Sequence, residues 1–194
     1  MKARSLWIVG LVVASLSALA GFKLSSGRPA SALDGDAMNL SHLTVGLQTT
    51  TDIKIQDLSG RAHSLTEWTG KVLVVNFWAT WCPPCVTEIP GFVELQTQFG
   101  SRGLQFVGIA LDEPLATAKF SRERGINYPV LVGEDNVAQL MRGYGNTIGA
   151  LPFTVVFNRA GKIVHIQQGE WSRVDALAVI QSLLATAPQQ ATRE

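Results

Sequence analysis

The stretch Asn76-Phe77-Trp78-Ala79-Thr80-Trp81-Cys82-Pro83-Pro84-Cys85 contains both cysteines of the chain, separated by two prolines. The apolar run Val72-Leu73-Val74-Val75 precedes it, and a helical pattern begins near Val86. A strand that turns into a helix through C-x-x-C places the first cysteine at the helix N-terminus. Unpaired N–H groups and the helix dipole favour a thiolate there. The second cysteine, one turn further on, faces the body of the protein. One sulfur can therefore attack and the other resolve, which predicts a dithiol/disulfide redox couple.

The composition is that of one globular domain with short extensions, since 46% of the residues are apolar and 16% are charged. The formal net charge is only +1, and no basic cluster with interleaved aromatic residues is present. Nucleic acid is therefore not expected as a partner. Two closely spaced cysteines are also too few for a framework of structural disulfides.

The N-terminal residues have the pattern of an export segment. Lys2 and Arg4 precede a run without charged residues that extends from Ser5 through Phe22, which predicts a cytoplasmic N-terminus and a domain outside the cytoplasm. Residues 1–24 are expected to be a signal anchor or a signal peptide cleaved near Ala18-Leu19-Ala20, and both alternatives stay open. Residues 25–50, rich in Ser, Gly, Thr and Ala, are expected to form a flexible linker, and residues 188–194 a polar tail.

Residues 51–187 are expected to form one α/β domain, because strand patterns alternate with helical patterns along this region. The predicted architecture is a mixed central sheet with helices on both faces. Hairpins are expected at residues 53–65 and 153–168, each around a Gly-containing turn. Further strands are predicted at residues 71–79, 104–111 and 128–132, and helices at 116–124, 135–142, 173–187 and from Pro83 onward.

Three segments resemble the thioredoxin-like TlpA/ResA/CcmG family of bacterial envelope proteins. They are V-N-F-W-A-T-W-C-P-P-C-x-x-E-I-P around the cysteines, D-L-S-G-R-x-H-S-L-T-E-W-T-G-K upstream, and G-A-L-P-F-T at residues 149–154. The resemblance spans residues 51–168. It implies a thioredoxin fold with an N-terminal β-hairpin extension and a central strand–helix insert, and a location on the periplasmic side of the inner membrane.

The resemblance also implies roles for particular residues. Cys82 is expected to be the nucleophile and Cys85 the resolving thiol, and Pro152 is expected to follow a cis peptide bond beside them. The expected substrate-binding residues are Trp81, Pro83, Pro84, Leu151 and Pro152. Glu88 lies three residues after Cys85 on the same helical face and matches an acid of the family, so it is a candidate for relaying a proton to or from Cys85.

Other uses of the two cysteines fit the sequence less well. A closed zinc site needs four ligands, and His42, His63 and His165 are scattered and unpaired. Attachment of c-type haem needs a histidine directly after the second cysteine, where Val86 stands. No metal and no cofactor beyond the redox-active pair is therefore expected.

The expected function is reduction of disulfides in exported client proteins, with re-reduction by an electron donor in the membrane. By resemblance, the clients are apocytochrome c or the copper-site proteins of cytochrome oxidase assembly, and the sequence does not choose between them. Two alternatives stay open. The first is an oxidant of the same fold that forms disulfides, because the Pro83-Pro84 pair between the cysteines tunes the potential. The second is a non-catalytic carrier of metal or haem.

Overall fold

The computed structural model describes residue 49 and residues 51–185. In chain order the strands and helices are β1 (Ile55–Asp57), β2 (Ala62–His63), β3 (Val72–Trp78), α1 (Pro83–Phe99), β4 (Leu104–Ala110), α2 (Pro114–Glu123), β5 (Val130–Val132), α3 (Asp135–Gly143), β6 (Phe153–Phe157), β7 (Ile163–Gln168) and α4 (Arg173–Ala185).

The seven strands form one mixed sheet in the order β2-β1-β5-β4-β3-β6-β7. Strand β3 is parallel to β4 and antiparallel to β6, and β4 is in turn parallel to β5. Every residue of β3 is buried, as expected for a strand that is covered on both faces of the sheet. Because α1 directly follows β3, the cysteine pair lies at the carboxyl end of this central strand.

Helices cover both faces of the sheet, as the sequence predicts. On one face, Phe77 and Val75 of β3 pack in a cluster with Leu140 of α3. On the other face, Val74 of β3 packs with Phe92 of α1 and with Ile180 of α4. Alternate residues of β3 thus point to opposite faces, and the even-numbered residues face α1.

The two predicted additions to the central sheet are present. Strands β1 and β2 form an antiparallel hairpin at the sheet edge, and β1 pairs with β5. Helix α2 and strand β5 lie between β4 and α3 in the chain, and β5 extends the parallel part of the sheet. These are the N-terminal extension and the central insert.

Some element boundaries differ from those expected. Helix α2 begins at Pro114 rather than at residue 116, because proline is well suited to the first position of a helix. The segment after the first hairpin is a short 3₁₀ helix, Leu65–Trp68. The hydroxyl of Ser64 and the carboxylate of Glu67 cap it reciprocally.

The expected export segment, the linker apart from Thr49, the polar tail, and the last two residues of the fourth predicted helix lie outside the described residues. No helix within residues 51–185 is both long enough and apolar enough to cross a membrane.

Candidate active site

Cys82 and Cys85 are joined by a disulfide at the start of α1. Cys82 is the residue before the first helical position, and its carbonyl accepts a hydrogen bond from the N–H of Val86 at 3.1 Å. Because Pro83 and Pro84 have no N–H, the N–H of Cys85 is the first free donor at this helix terminus. The positive end of α1 therefore lies beside Cys82, where it stabilises a thiolate.

The two sulfurs lie in an apolar environment and differ in exposure. Cys82 is 5% exposed and Cys85 is fully buried. Both belong to a hydrophobic cluster that includes Trp78, Ile89 and Val130. Helix α1 contains no Lys, Arg or His. The first helical turn therefore offers a thiolate no cation, and the reachable sulfur is that of Cys82.

Asp112 braces the loop before the cysteines, a contact that the sequence analysis did not predict. Its Oδ2 accepts hydrogen bonds from the backbone N–H of Thr80, at 2.9 Å, and from the Thr80 hydroxyl. Burial acts to raise the pKa of Asp112, but these bonds and one from the N–H of Glu113 hold that pKa below its ordinary value. An ionised Asp112 thus fixes the carboxyl ends of β3 and β4 against each other.

Trp81 projects into solvent next to the disulfide. Its side chain is 67% exposed, whereas Trp78, three residues earlier, is buried against Phe120 with ring centroids 5.3 Å apart. An exposed indole beside the reactive sulfur is a flat apolar surface that a partner polypeptide can cover.

The Leu151–Pro152 peptide bond is cis, and the loop that carries it lies against the cysteines. Leu151 packs on the hydrophobic cluster that contains both sulfurs. Asn146, which the sequence analysis did not single out, shapes the loop through two hydrogen bonds with Ala150. Its Nδ2 donates to the Ala150 carbonyl at 2.7 Å, and its Oδ1 accepts from the Ala150 N–H at 3.1 Å.

Glu88 is a buried carboxylate one turn after Cys85 in α1. It is 4% exposed. Burial raises its pKa to about 7, and the negative charge of Glu170 adds to that effect. Two hydrogen bonds act in the opposite direction. They are donated by Nδ2 of Asn76 to Oε1 at 2.7 Å and by the N–H of Trp171 to Oε2 at 2.8 Å. Glu88 can therefore take up or release a proton near neutral pH.

The partners of Glu88 extend the site beyond the predicted residues. Asn76 also donates from Nδ2 to the hydroxyl of Thr154 at 3.0 Å, while its Oδ1 is buried without a partner. The ring of Trp171 stacks on His165 with centroids 5.1 Å apart. The backbone N–H of Trp171 is the group that reaches Glu88.

Solved structures of known proteins define the class of this one. The structure is similar to the crystal structure of a thiol:disulfide interchange protein of the thioredoxin family from Chlorobium tepidum TLS. The TM-score is 0.65 and the sequence identity is 30%, covering 72% of this chain and 97% of that chain. The fold and the cysteine pair together define a thiol–disulfide oxidoreductase of the thioredoxin fold.

The family follows from sequence comparison. A model of the AhpC/TSA family matches residues 47–166, and the chain belongs to this family. It is 33% identical over 136 residues to the thiol-disulfide oxidoreductase ResA of Geobacillus thermodenitrificans (strain NG80-2), covering 70% of this chain and 76% of that protein. It is 28% identical over 174 residues to ResA of Bacillus thuringiensis (strain Al Hakam), covering 89% and 93%. The resemblance seen in the sequence is thereby confirmed.

Proposed function

We propose that this protein reduces disulfides in exported client proteins on the periplasmic side of the inner membrane. The Cys82 thiolate attacks one sulfur of the client disulfide, and the other client sulfur leaves as a thiolate and takes up a proton. Cys85 then loses its proton and attacks Cys82 within the mixed disulfide. The client leaves as a dithiol, and Cys82 and Cys85 are joined. Two electrons have passed from the protein to the client.

One observation carries the direction of this transfer: the cysteine pair is buried among apolar residues, on a helix without a cation. A strongly oxidising pair is one whose reduced form is stabilised, chiefly as a thiolate. Here only the helix N-terminus favours a thiolate, while burial disfavours it, and the nearest charged residue of α1 is the acid Glu88. The reduced pair therefore gains little stabilisation, which corresponds to a low reduction potential.

The remaining site residues divide into two roles in this proposal. Glu88 accepts the proton that Cys85 must lose before it attacks, because its pKa of about 7 lets it exchange a proton at neutral pH. The substrate-binding residues, Trp81, Pro83, Pro84, Leu151 and Pro152, form the surface on which an extended client segment lies. The dithiol itself is the redox group, and no separate cofactor enters the reaction.

The proposed location rests on the sequence, and the proposed partners rest on the family resemblance. Lys2 and Arg4 ahead of an apolar run support export, with residues 1–24 either anchoring the protein in the inner membrane or removed as a signal peptide. In an oxidising compartment the pair must be re-reduced, so a membrane electron donor is part of the proposal. The clients are apocytochrome c or the copper-site proteins of cytochrome oxidase. A strain that lacks this protein distinguishes the two. If added copper restores its oxidase activity, the clients are the copper-site proteins. If the strain loses covalently bound haem, the client is apocytochrome c.

The decisive experiment measures the direction of electron flow. The reduction potential, obtained by equilibration with thiol–disulfide buffers, is expected to lie well below the approximately −120 mV of a strong periplasmic oxidant. In acid-quenched cells, labelling with a mass-adding thiol reagent is expected to find the pair mostly as dithiol. A potential near that of the oxidant, with the pair mostly as disulfide in cells, would instead identify a thiol oxidant.

A further inference from the structure

The hydrogen bonds around Glu88 form a short chain that starts at the strand following the cis-proline loop. Thr154 lies in β6, directly opposite Asn76 in the register of β3 and β6. The Thr154 hydroxyl accepts from Nδ2 of Asn76, and the same Nδ2 donates to Oε1 of Glu88. Thr154, Asn76 and Glu88 are 0%, 1% and 4% exposed, respectively, so water does not replace these contacts.

The amide of Asn76 has one feature that packing alone does not explain. Its Oδ1 is buried and accepts no hydrogen bond. A buried acceptor without a hydrogen-bond partner is costly in free energy. A hydrogen bond to the oxygen would hold the amide in one orientation. The amide of Asn76 is not locked on its oxygen side.

The orientation of this amide follows from the charge of Glu88. An ionised carboxylate only accepts hydrogen bonds, so Nδ2 must face Oε1, as observed. A carboxyl group protonated at Oε1 is a donor at that atom and requires Oδ1 to face it instead. The Thr154 hydroxyl serves both orientations, because it accepts from Nδ2 and can donate to Oδ1.

We propose that Asn76 is a positioning residue for the proton transfer at Glu88, with an amide that reverses its orientation when the carboxylate is protonated. The inference rests on the proposed role of Glu88 as the acceptor of the Cys85 proton. When the proton passes from Sγ of Cys85 to Oε1 of Glu88, the Asn76 amide rotates by about 180°. Its Oδ1 then accepts a hydrogen bond from the protonated Oε1. When Glu88 loses the proton, the amide returns. Asn76 itself gains and loses no proton.

The other groups around Glu88 do not supply this function. The N–H of Trp171 is a backbone donor and cannot become an acceptor. Glu170, which precedes α4, contributes negative charge. Tyr128, ahead of β5, is buried with a raised pKa and stays neutral. His165 of β7 stacks on the Trp171 ring rather than on the carboxylate.

The test follows the side-chain amide resonances of the oxidised protein by NMR from about pH 5 to about pH 9, alongside the Glu88 carboxyl carbon. The Asn76 amide is expected to shift with the same midpoint as Glu88, and the shift is expected to vanish in Glu88→Gln. Asn146 is the internal control. Its amide is equally buried and is bonded through both Nδ2 and Oδ1 to Ala150, so it should not titrate. An Asn76 amide that does not respond to pH overturns the inference.

Variants connect the amide to the reaction. Asn76→Leu removes a donor to the carboxylate, so the Glu88 midpoint and the midpoint of the pH–rate profile for disulfide reduction should both rise by about one pH unit. Adding Asn76→Leu to Glu88→Gln should change the profile no further. Thr117→Val, which removes a buried hydroxyl from α2, is the control for loss of a buried polar group. An additive effect in the double variant overturns the positioning role.

The outcome is separable from that of the proposed function. A high reduction potential would contradict the reductant assignment and would leave the coupled titration of Asn76 and Glu88 unaffected. A flat Asn76 titration would overturn the positioning role and would leave the potential unaffected.

Discussion

The N–H of Trp171 donates a 2.8 Å hydrogen bond to Oε2 of Glu88, across 83 positions of the chain. The bond ties the segment before α4 to the helix that carries the cysteines. It also stabilises the ionised carboxylate of Glu88, which burial destabilises. Glu88 is thus stabilised by specific donors and destabilised by its surroundings, and the second effect prevails, since its pKa is raised to about 7.

The raised pKa of Glu88 predicts a pH-dependent cost to stability. In the unfolded chain the carboxyl group has its ordinary pKa of about 4.5, and in the folded protein its pKa is about 7. Between these values the folded state binds more protons than the unfolded state, so stability falls as the pH rises. Glu88→Gln lacks this loss. Its free energy of unfolding relative to wild type should therefore rise by on the order of 3 kcal/mol from about pH 4.5 to about pH 8.

Urea unfolding of the oxidised proteins at several pH values measures this difference. Glu94→Gln is the matched control, because it removes an exposed carboxylate of the same helix, paired with Arg173, and should show no comparable rise. A Glu88→Gln difference that stays constant across the range would mean that Glu88 is not shifted by burial.

The position of Cys82 at the helix start predicts unequal reactivity of the two thiols. In the reduced protein at neutral pH, alkylation should modify Cys82 at least about tenfold faster than Cys85, because Cys82 is partly accessible and lies at the helix N-terminus. Mass spectrometry of peptides after timed quenching gives both rates. Cys85→Ser should accumulate mixed disulfides with clients, and Cys82→Ser is the control that should not. Equal rates, or trapping by Cys82→Ser alone, would reverse the assignment.

The local features of this site could be predicted from the sequence. The apolar run before Cys82 and the helical pattern after Cys85 are contiguous in the chain, so their periodicity predicts the strand–helix junction on which the cysteines lie. The α/β class and the two hairpins followed from the same kind of pattern. Pro114 also marks a helix start, but the amphipathic pattern itself begins two residues later.

The contacts of Glu88 could not be predicted in the same way. Asn76 carried a signal, since a polar residue in an otherwise apolar buried strand needs a polar partner, but the partner lies 12 positions away in another element. Trp171 has no such signal in the sequence, because its contact with Glu88 is made by a backbone N–H, which every residue except proline possesses. Asp112 likewise meets Thr80 only because β3 and β4 are neighbours in the sheet.

The exposed ring of Trp81 predicts a contribution to client binding but not to the chemistry. Trp81→Ala should raise the KM for a protein disulfide roughly tenfold, as loss of an aromatic anchor at an interface does. The rate with a small disulfide such as oxidised glutathione should change little. Val174→Ala is the control, because Val174 is a similarly exposed apolar residue, at 71% against 67% for Trp81. Equal effects of Trp81→Ala on both substrates would indicate that the ring acts on the cysteine pair itself.

The N-terminal pattern predicts which side of the membrane the domain occupies. Lys2 and Arg4 are expected to retain the start of the chain in the cytoplasm, and the apolar run after them is expected to direct the rest outward. Alkaline phosphatase, which is active only outside the cytoplasm, should therefore be active when fused after Ala185, at the end of α4. The same fusion without residues 1–24 is the control and should be inactive. If the full-length fusion is stable but inactive, the proposed location is wrong.

If it is active, carbonate extraction separates the two alternatives for residues 1–24, because only a membrane-spanning anchor stays with the membrane fraction.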